Sequence, residues 1–262
     1  MHKTYILTIQ RNIDRANKIL PWVSNSEIIM GLDAKKEDDK SCISHARSNR
    51  KSGSILSDGE VACTLGHKAI LEKFLKTNDP YCVVLEDDAE AGPVFQDLEQ
   101  DLPEIFDGND KAVMFILGGQ EGYKNNKYID WKSPFRSLNS GIVYDLTASS
   151  DFVFRTCCYG IDRNAAKQLV EFLQNNLILA DDYSSVVNNT DVKILLKRRG
   201  YFSHPIGGPS ELESERTSRN RVKSSFFYRS VGVVLIFIYN SIEKIEPSFY
   251  RWILLNILFE EE

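Results

Sequence analysis

Three adjacent carboxylates, Glu86-Asp87-Asp88, follow directly on the apolar run Tyr81-Cys82-Val83-Val84-Leu85. Carboxylates this close repel one another, so together they favour a cation held between them and something anionic. All-oxygen, hard ligands suit Mg²⁺ or Mn²⁺, ions that commonly bridge protein acids to substrate phosphates. A solvated acidic turn after a strand is the competing reading of the same residues.

The run before the acids is rich in Val and Leu and is preceded by Asn78-Asp79-Pro80, which predicts a buried strand. The acids then sit at its carboxyl end, the edge at which open α/β sheets bind ligands. Tyr5 to Ile9 predicts a first strand, and Asp14-Arg15 with Ile19-Leu20 a short helix stopped by Pro21. Ser26 to Met30 reads as a second strand, followed by Gly31-Leu32-Asp33. Residues 34 to 58 are polar and aperiodic, which predicts a loop or lid. Apolar residues at helical spacing from Gly59-Glu60 to Lys76 predict a helix that carries His67. Phe95 to Phe106 reads as helical or irregular, Lys111 to Leu117 as a buried strand, and Glu121 to Ser140 as loop. Phe152 to Gly160 is strand-like. Ile161 to Leu173 is amphipathic, with Asp162 as its N-cap. Asp181-Asp182 then precede a strand from Val192 to Leu196, and His204-Pro205-Ile206-Gly207-Gly208 is a turn-rich loop. Alternating strands and helices predict an α/β sheet with helices on both faces.

The chain has 262 residues, 42% of them hydrophobic and 26% charged, as expected of one large domain with or without an appendage. A net charge of -5 argues against nucleic acid as a partner. Cys42, Cys63, Cys82, Cys157 and Cys158 are odd in number and form no CxxC pair, so neither a zinc ribbon nor a disulfide framework is expected. Met1 to Leu7 carries no basic-apolar signal pattern, and a cytoplasmic location is expected. From Arg216 onward the character changes. Arg216, Arg219, Arg221, Lys223 and Arg229 are interleaved with Phe226, Phe227 and Tyr228, and two apolar runs follow. Neither run has the roughly 18 to 20 residues needed to span a bilayer. Residues 216–262 are therefore expected to form a helical tail that lies on the inner membrane surface or makes a dimer interface. Residues 1–215 form the domain before it.

Gly59-Glu60-Val61-Ala62-Cys63-Thr64-Leu65-Gly66-His67 followed by Val83-Val84-Leu85-Glu86-Asp87-Asp88 resembles glycosyltransferase family 25. The opening strand with Asp14-Arg15, the Gly31-Leu32-Asp33 turn, and Thr156-Cys157-Cys158-Tyr159-Gly160-Ile161-Asp162 also resemble that family's pattern. Ala62, Gly66 and Asp162 depart from it, where Gly, Ser and Ser are usual. The resemblance covers residues 3 to 215. It implies a GT-A-like nucleotide-sugar fold and an inverting transferase. Its expected reaction moves a hexose, galactose from UDP-galactose foremost, onto a lipooligosaccharide or lipopolysaccharide core.

By that resemblance Asp88 is the metal ligand, with Glu86 a second ligand or, with Asp87, a contact to the donor ribose. His204 completes the metal shell as the residue from a late loop, and Mn²⁺ or Mg²⁺ is the expected cofactor. Thr8, Arg15, Asp33 and His67 are the further expected donor contacts, with a structural ion pair the alternative for Arg15 and bracing of the sheet the alternative for His67. Inversion needs one carboxylate to take the acceptor hydroxyl's proton. Asp182 is the first candidate, Asp181 its neighbour, and Glu211, Glu213 and Glu215 the reserve, with a solvated or capping role for the adjacent acids as the competing reading. A nucleotidyltransferase would use similar acids, but Thr8 to Arg15 lacks the glycines of a phosphate loop. A non-catalytic membrane scaffold is the other alternative.

Overall fold

The computed structural model describes residues 2–48, 56–107, 112–120 and 128–205. Residues 1–51 and 58–208 form one compact unit. A second unit, 52–57 with 209–262, lies outside the described residues apart from Leu56 and Ser57. The expected tail, its boundary at 215, and Glu211, Glu213 and Glu215 all fall outside the described residues.

The strands are β1 (Lys3–Thr8), β2 (Ser26–Met30), β3 (Tyr81–Glu86), β4 (Glu90–Ala91), β5 (Val113–Ile116), β6 (Pro134–Leu138), β7 (Gly141–Asp145), β8 (Cys158–Asp162), β9 (Lys193–Lys197) and β10 (Phe202–Ser203). The helices are α1 (Ile13–Ile19), α2 (Glu37–Ser48), α3 (Asp58–Phe74), α4 (Leu98–Phe106), α5 (Arg163–Asn175) and α6 (Tyr183–Asn189). Eight strands form one mixed sheet in the order β2-β1-β3-β8-β5-β9-β7-β6, and β10 pairs with β4 in a small second sheet.

Period-two alternation divides the strand residues between two cores. Tyr5, Leu7, Cys82, Val84, Met114 and Ile116 face α3, α5 and α6, where they meet Ile70, Phe74, Ala165, Leu169 and Tyr183. Ile6, Val83, Leu85, Val113 and Phe115 face α1 and α4, where they meet Ile19, Leu102, Ile105 and Phe106. The sheet is thus covered by helices on both sides, as the alternating pattern predicts.

Several expectations are corrected. Residues 37 to 48, read as loop or lid, form α2. Only Ile43 of that helix is buried, so no apolar period marks it. Its evidence is electrostatic: Glu37, Asp38 and Asp39 occupy the first turn, and His45 and Arg47 the last, complementing the helix dipole. The span Glu121 to Ser140, read as loop, contains the edge strand β6, which forms a hairpin with β7. Pro134 opens that strand, a position that proline tolerates, and much of the strand faces solvent. The strand expected within Phe152 to Gly160 begins later, at Cys158, and α6 was not foreseen.

Candidate active site

β1 and β3 run parallel with Leu7 opposite Glu86, so their carboxyl ends lie side by side. β8 runs antiparallel to β3, which brings its start to the same edge, and the Glu86 amide donates to the Cys157 carbonyl at 2.8 Å. Beyond β3 the chain turns, with the Ala89 amide donating to the Glu86 carbonyl at 3.1 Å. Asp87 and Asp88 are therefore the middle residues of a tight turn at the sheet edge.

Thr8, the last residue of β1, donates its hydroxyl to Asp87 Oδ2 at 2.5 Å. Arg15, on α1, places Nη2 3.3 Å from Asp87 Oδ1 and 3.6 Å from Asp88 Oδ2. His204 Nε2 lies 3.1 Å from Asp88 Oδ2, across 116 residues of sequence, while His204 Nδ1 is held at 2.9 Å by the Pro205 carbonyl. Among the described residues, Asp88 Oδ1 is buried without a hydrogen-bond partner. The carboxylate is thus turned into the protein, with only 22% of its side chain exposed.

The small sheet explains how a histidine from so far along the chain arrives here. β10 pairs antiparallel with β4, with Ser203 opposite Glu90, which sets the next residue, His204, level with the acid turn. Gly118, just past β5, makes room for that strand. Its φ is +152°, and a Cβ there would lie 1.9 Å from the Phe202 carbonyl oxygen. The Gly92 amide donates to the Tyr201 carbonyl at 2.8 Å and closes the other side.

Charge within the site is arranged by these contacts. Burial pushes the Asp88 carboxyl upward, but the His204 hydrogen bond and the charges of His204 and Arg15 outweigh it and hold Asp88 below the ordinary range. The Asp88 hydrogen bond raises His204 against its own burial and against the charge of Arg155. Each partner thus favours the charged form of the other. Asp87 moves the other way. Burial raises it, and the neighbouring Asp88 and Glu86 charges add to that, while Thr8 and Arg15 partly oppose it.

His67, on α3, is buried beside the acids. Its Nδ1 lies 3.1 Å from the Tyr159 hydroxyl and its Nε2 3.2 Å from Glu86 Oε1. Thr156 donates its hydroxyl to the same Glu86 oxygen at 2.8 Å. Asp33 lies past the end of β2 on the same sheet edge, in a two-pronged pair with Arg11 Nη1 at 2.7 and 2.9 Å. Asp182 has a structural job: it caps α6, accepting from the Ser185 amide at 3.0 Å and the Ser185 hydroxyl at 2.7 Å. Asp181 accepts the Arg155 amide at 3.1 Å.

Among the sequence candidates, then, Thr8, Arg15, His67, Glu86, Asp87, Asp88 and His204 converge, Asp33 lies along the same edge, and Asp181 and Asp182 stand apart on the α6 side. Sequence reasoning gave no role to Arg155 or Thr156. Arg155 has φ of 60°, unusual for a side-chain-bearing residue, donates Nη1 to the Gly119 carbonyl at 2.7 Å and accepts from the Tyr183 hydroxyl at 2.6 Å. Its only signal in sequence was its position directly before the Thr156-Cys157-Cys158 segment.

The donor set of the Asp88–His204 corner fits a divalent cation. It combines a carboxylate oxygen that has no donor among the described residues and an imidazole, both acceptable to Mn²⁺.

Comparison with curated proteins finds no matching relative. Among solved structures, the chain is similar to mouse xyloside xylosyltransferase 1 in its apo form, at 12% identity and a TM-score of 0.35, over 70% of this chain and 67% of that one. It is also similar to the apo structure of the WbbM bifunctional glycosyltransferase, at 11% identity and a TM-score of 0.39, over 74% of this chain and 38% of that one. The family model for glycosyltransferase family 25, described as an LPS biosynthesis protein, matches residues 1–184. With that model spanning most of its length, the chain belongs to glycosyltransferase family 25.

Proposed function

We propose that this glycosyltransferase moves a hexose, galactose from UDP-galactose first among the candidates, onto a lipooligosaccharide or lipopolysaccharide core, with inversion and with a divalent metal at Asp88 and His204. The observation that supports the metal most is Asp88 Oδ1, buried and without a partner among the described residues, beside the His204 contact. A cation bound there would neutralise the charge that develops on the diphosphate leaving group. Asp87, steadied by Thr8 and Arg15, contacts the donor ribose in this reading, and Arg15 faces the donor phosphates.

For the base, Asp182 and its neighbour Asp181 stand as the candidates. Both oxygens of Asp182 are engaged by Ser185 at the start of α6, so proton transfer would first have to break the cap. Asp181 is tied instead to the Arg155 backbone, and Arg155 is close enough for its charge to lower the pKa of His204.

Purified full-length protein, stripped of metal and resupplied with Mn²⁺, is expected to release UDP from UDP-galactose in the presence of acceptor. Asp88→Asn is expected to lose that activity while the protein stays folded, its melting temperature lowered only by the loss of the His204 charge contact. Full activity in Asp88→Asn would refute the metal assignment. A panel of UDP-glucose, UDP-galactose and their N-acetyl forms tests the sugar, since another preferred donor would replace galactose without disturbing the rest.

No helix among the described residues is long and apolar enough to cross a membrane. The positive charges from Arg216 to Arg229 support association of the tail with an anionic membrane face, where a glycolipid acceptor would lie. Removing residues 216–262 is expected to abolish sedimentation with anionic vesicles. A chain that ignores such vesicles but dissociates from dimer to monomer on truncation would assign the tail to dimerisation instead.

A further inference from the structure

Cys63 and His67 stand four residues apart on α3, so they share one face of the helix. That face is turned toward the end of β3, where His67 Nε2 meets Glu86 Oε1 at 3.2 Å. The ligand atoms of Cys63, His67 and Glu86 all lie within 4.8 Å of one another. We propose that these three residues form a second metal site, selective for Zn²⁺, that clips α3 to the end of β3.

The donor set is a thiolate, an imidazole and a carboxylate. Sulfur and nitrogen ligands select zinc over Mg²⁺ or Mn²⁺, and three protein ligands leave one tetrahedral position for water. The Asp88–His204 corner has no sulfur, so the two sites differ in the ion they prefer. Charge balances as well: the thiolate and the carboxylate together cancel the ion's two positive charges, which matters beside the buried His67. Cys63 and Glu86 are each partly exposed, which gives the ion a way in. An ion centred among atoms at most 4.8 Å apart lies no more than about 2.8 Å from each. That is about half an ångström beyond zinc bond lengths, within reach of small side-chain rotations.

Tyr159 supplies the outer contact. His67 Nε2 lies 3.2 Å from Glu86 Oε1, and Nδ1 lies 3.1 Å from the Tyr159 hydroxyl. A zinc ion on Nε2 would leave the ring proton on Nδ1, which would then donate to the Tyr159 oxygen. The Cys63 thiol proton leaves to solvent on binding.

The test titrates metal-stripped full-length protein with Co²⁺, a spectroscopic stand-in for zinc, and follows the sulfur-to-cobalt charge-transfer band. The expected band saturates at a single ion per chain, is displaced by Zn²⁺, and is lost in Cys63→Ser and His67→Gln. It persists in Asp88→Asn, which separates this site from the proposed catalytic metal. Tyr159→Phe is expected to weaken Co²⁺ binding by about ten-fold or more, as loss of an outer-shell partner commonly does. A wild-type protein without the band, or a band unchanged in Cys63→Ser, overturns the proposal. Should the variants fail to fold, alkylation of wild-type Cys63, mapped by mass spectrometry, decides. Zn²⁺ is expected to slow it strongly, and equal rates with and without Zn²⁺ overturn the site.

Discussion

Asp88 and His204 hold each other in their charged forms, and the sign of each shift fixes a pH window. Asp88 is held low, so its contribution to stability is present above the unfolded carboxylate value of about 3.9 and is lost as pH falls through its folded value. His204 is held high, so its contribution is complete below about 6.5 and is lost as pH rises through its folded value. Metal-free protein should therefore gain most from the pair between these limits. Denaturation across pH is expected to show an alkaline decline that His204→Gln lacks. A metal ion bound at His204, as proposed, would have to displace its proton, so Mn²⁺ affinity is expected to rise with pH through the same range in wild type and to stay flatter in His204→Gln, as read by calorimetry. At this scale the sequence was informative where residues are contiguous. Glu86-Asp87-Asp88 could be read directly. His204 entered only through the family resemblance, because nothing local says that a loop histidine 116 residues away meets Asp88. Thr156 and Arg155 went unseen for the same reason, and the Asp182 side chain proved to be a cap.

Among the elements, α5 was the most legible, since its apolar period and its cap agree. Asp162 Oδ1 accepts the Ala165 amide at 2.8 Å, and its other oxygen accepts the Val113 amide at 2.7 Å. Asp162→Ala removes both acceptors and is expected to destabilise the fold by about 1–2 kcal/mol in chemical denaturation, while Asp162→Asn, with one acceptor oxygen, keeps the cap but not the Val113 contact and recovers only part of that. Elements without an apolar period were lost: α2 is marked only by its end charges, and β6 is a largely exposed edge strand. The small sheet of β4 and β10 was lost too, because two-residue strands carry no pattern. Yet that sheet delivers His204. Gly118→Ala, which forces a Cβ against the Phe202 carbonyl, is expected to shift β10 and to weaken Mn²⁺ binding as well as lower the melting temperature.

For the molecule as a whole, the α/β class and two-sided helix cover follow from alternation, but strand order does not. β8 enters antiparallel between β3 and β5, a pairing of distant segments that no local pattern encodes. The far side of the sheet carries its own buried polar group. Lys197, at the end of β9, lies 3.9 Å from the centre of the Tyr201 ring and contacts the Ser140 hydroxyl, and the Tyr201 hydroxyl donates to Asp101 Oδ2 at 2.6 Å. Burial lowers Lys197 to about 8, although Asp101 and Asp97 oppose it. The folded protein thus gives up this proton before the unfolded chain, whose lysine titrates near about 10.4. Stability should therefore rise between those two values, and Lys197→Met is expected to lose that rise. The central claim, a divalent ion clamped against a donor diphosphate by Asp88, is tested most directly by calorimetric UDP binding with and without Mn²⁺. Mn²⁺ is expected to tighten UDP binding to wild type by about ten-fold or more, a gain of at least about 1.4 kcal/mol, and to have no such effect on Asp88→Asn. Equal UDP affinity with and without Mn²⁺, or a Mn²⁺ effect that survives in Asp88→Asn, would contradict it.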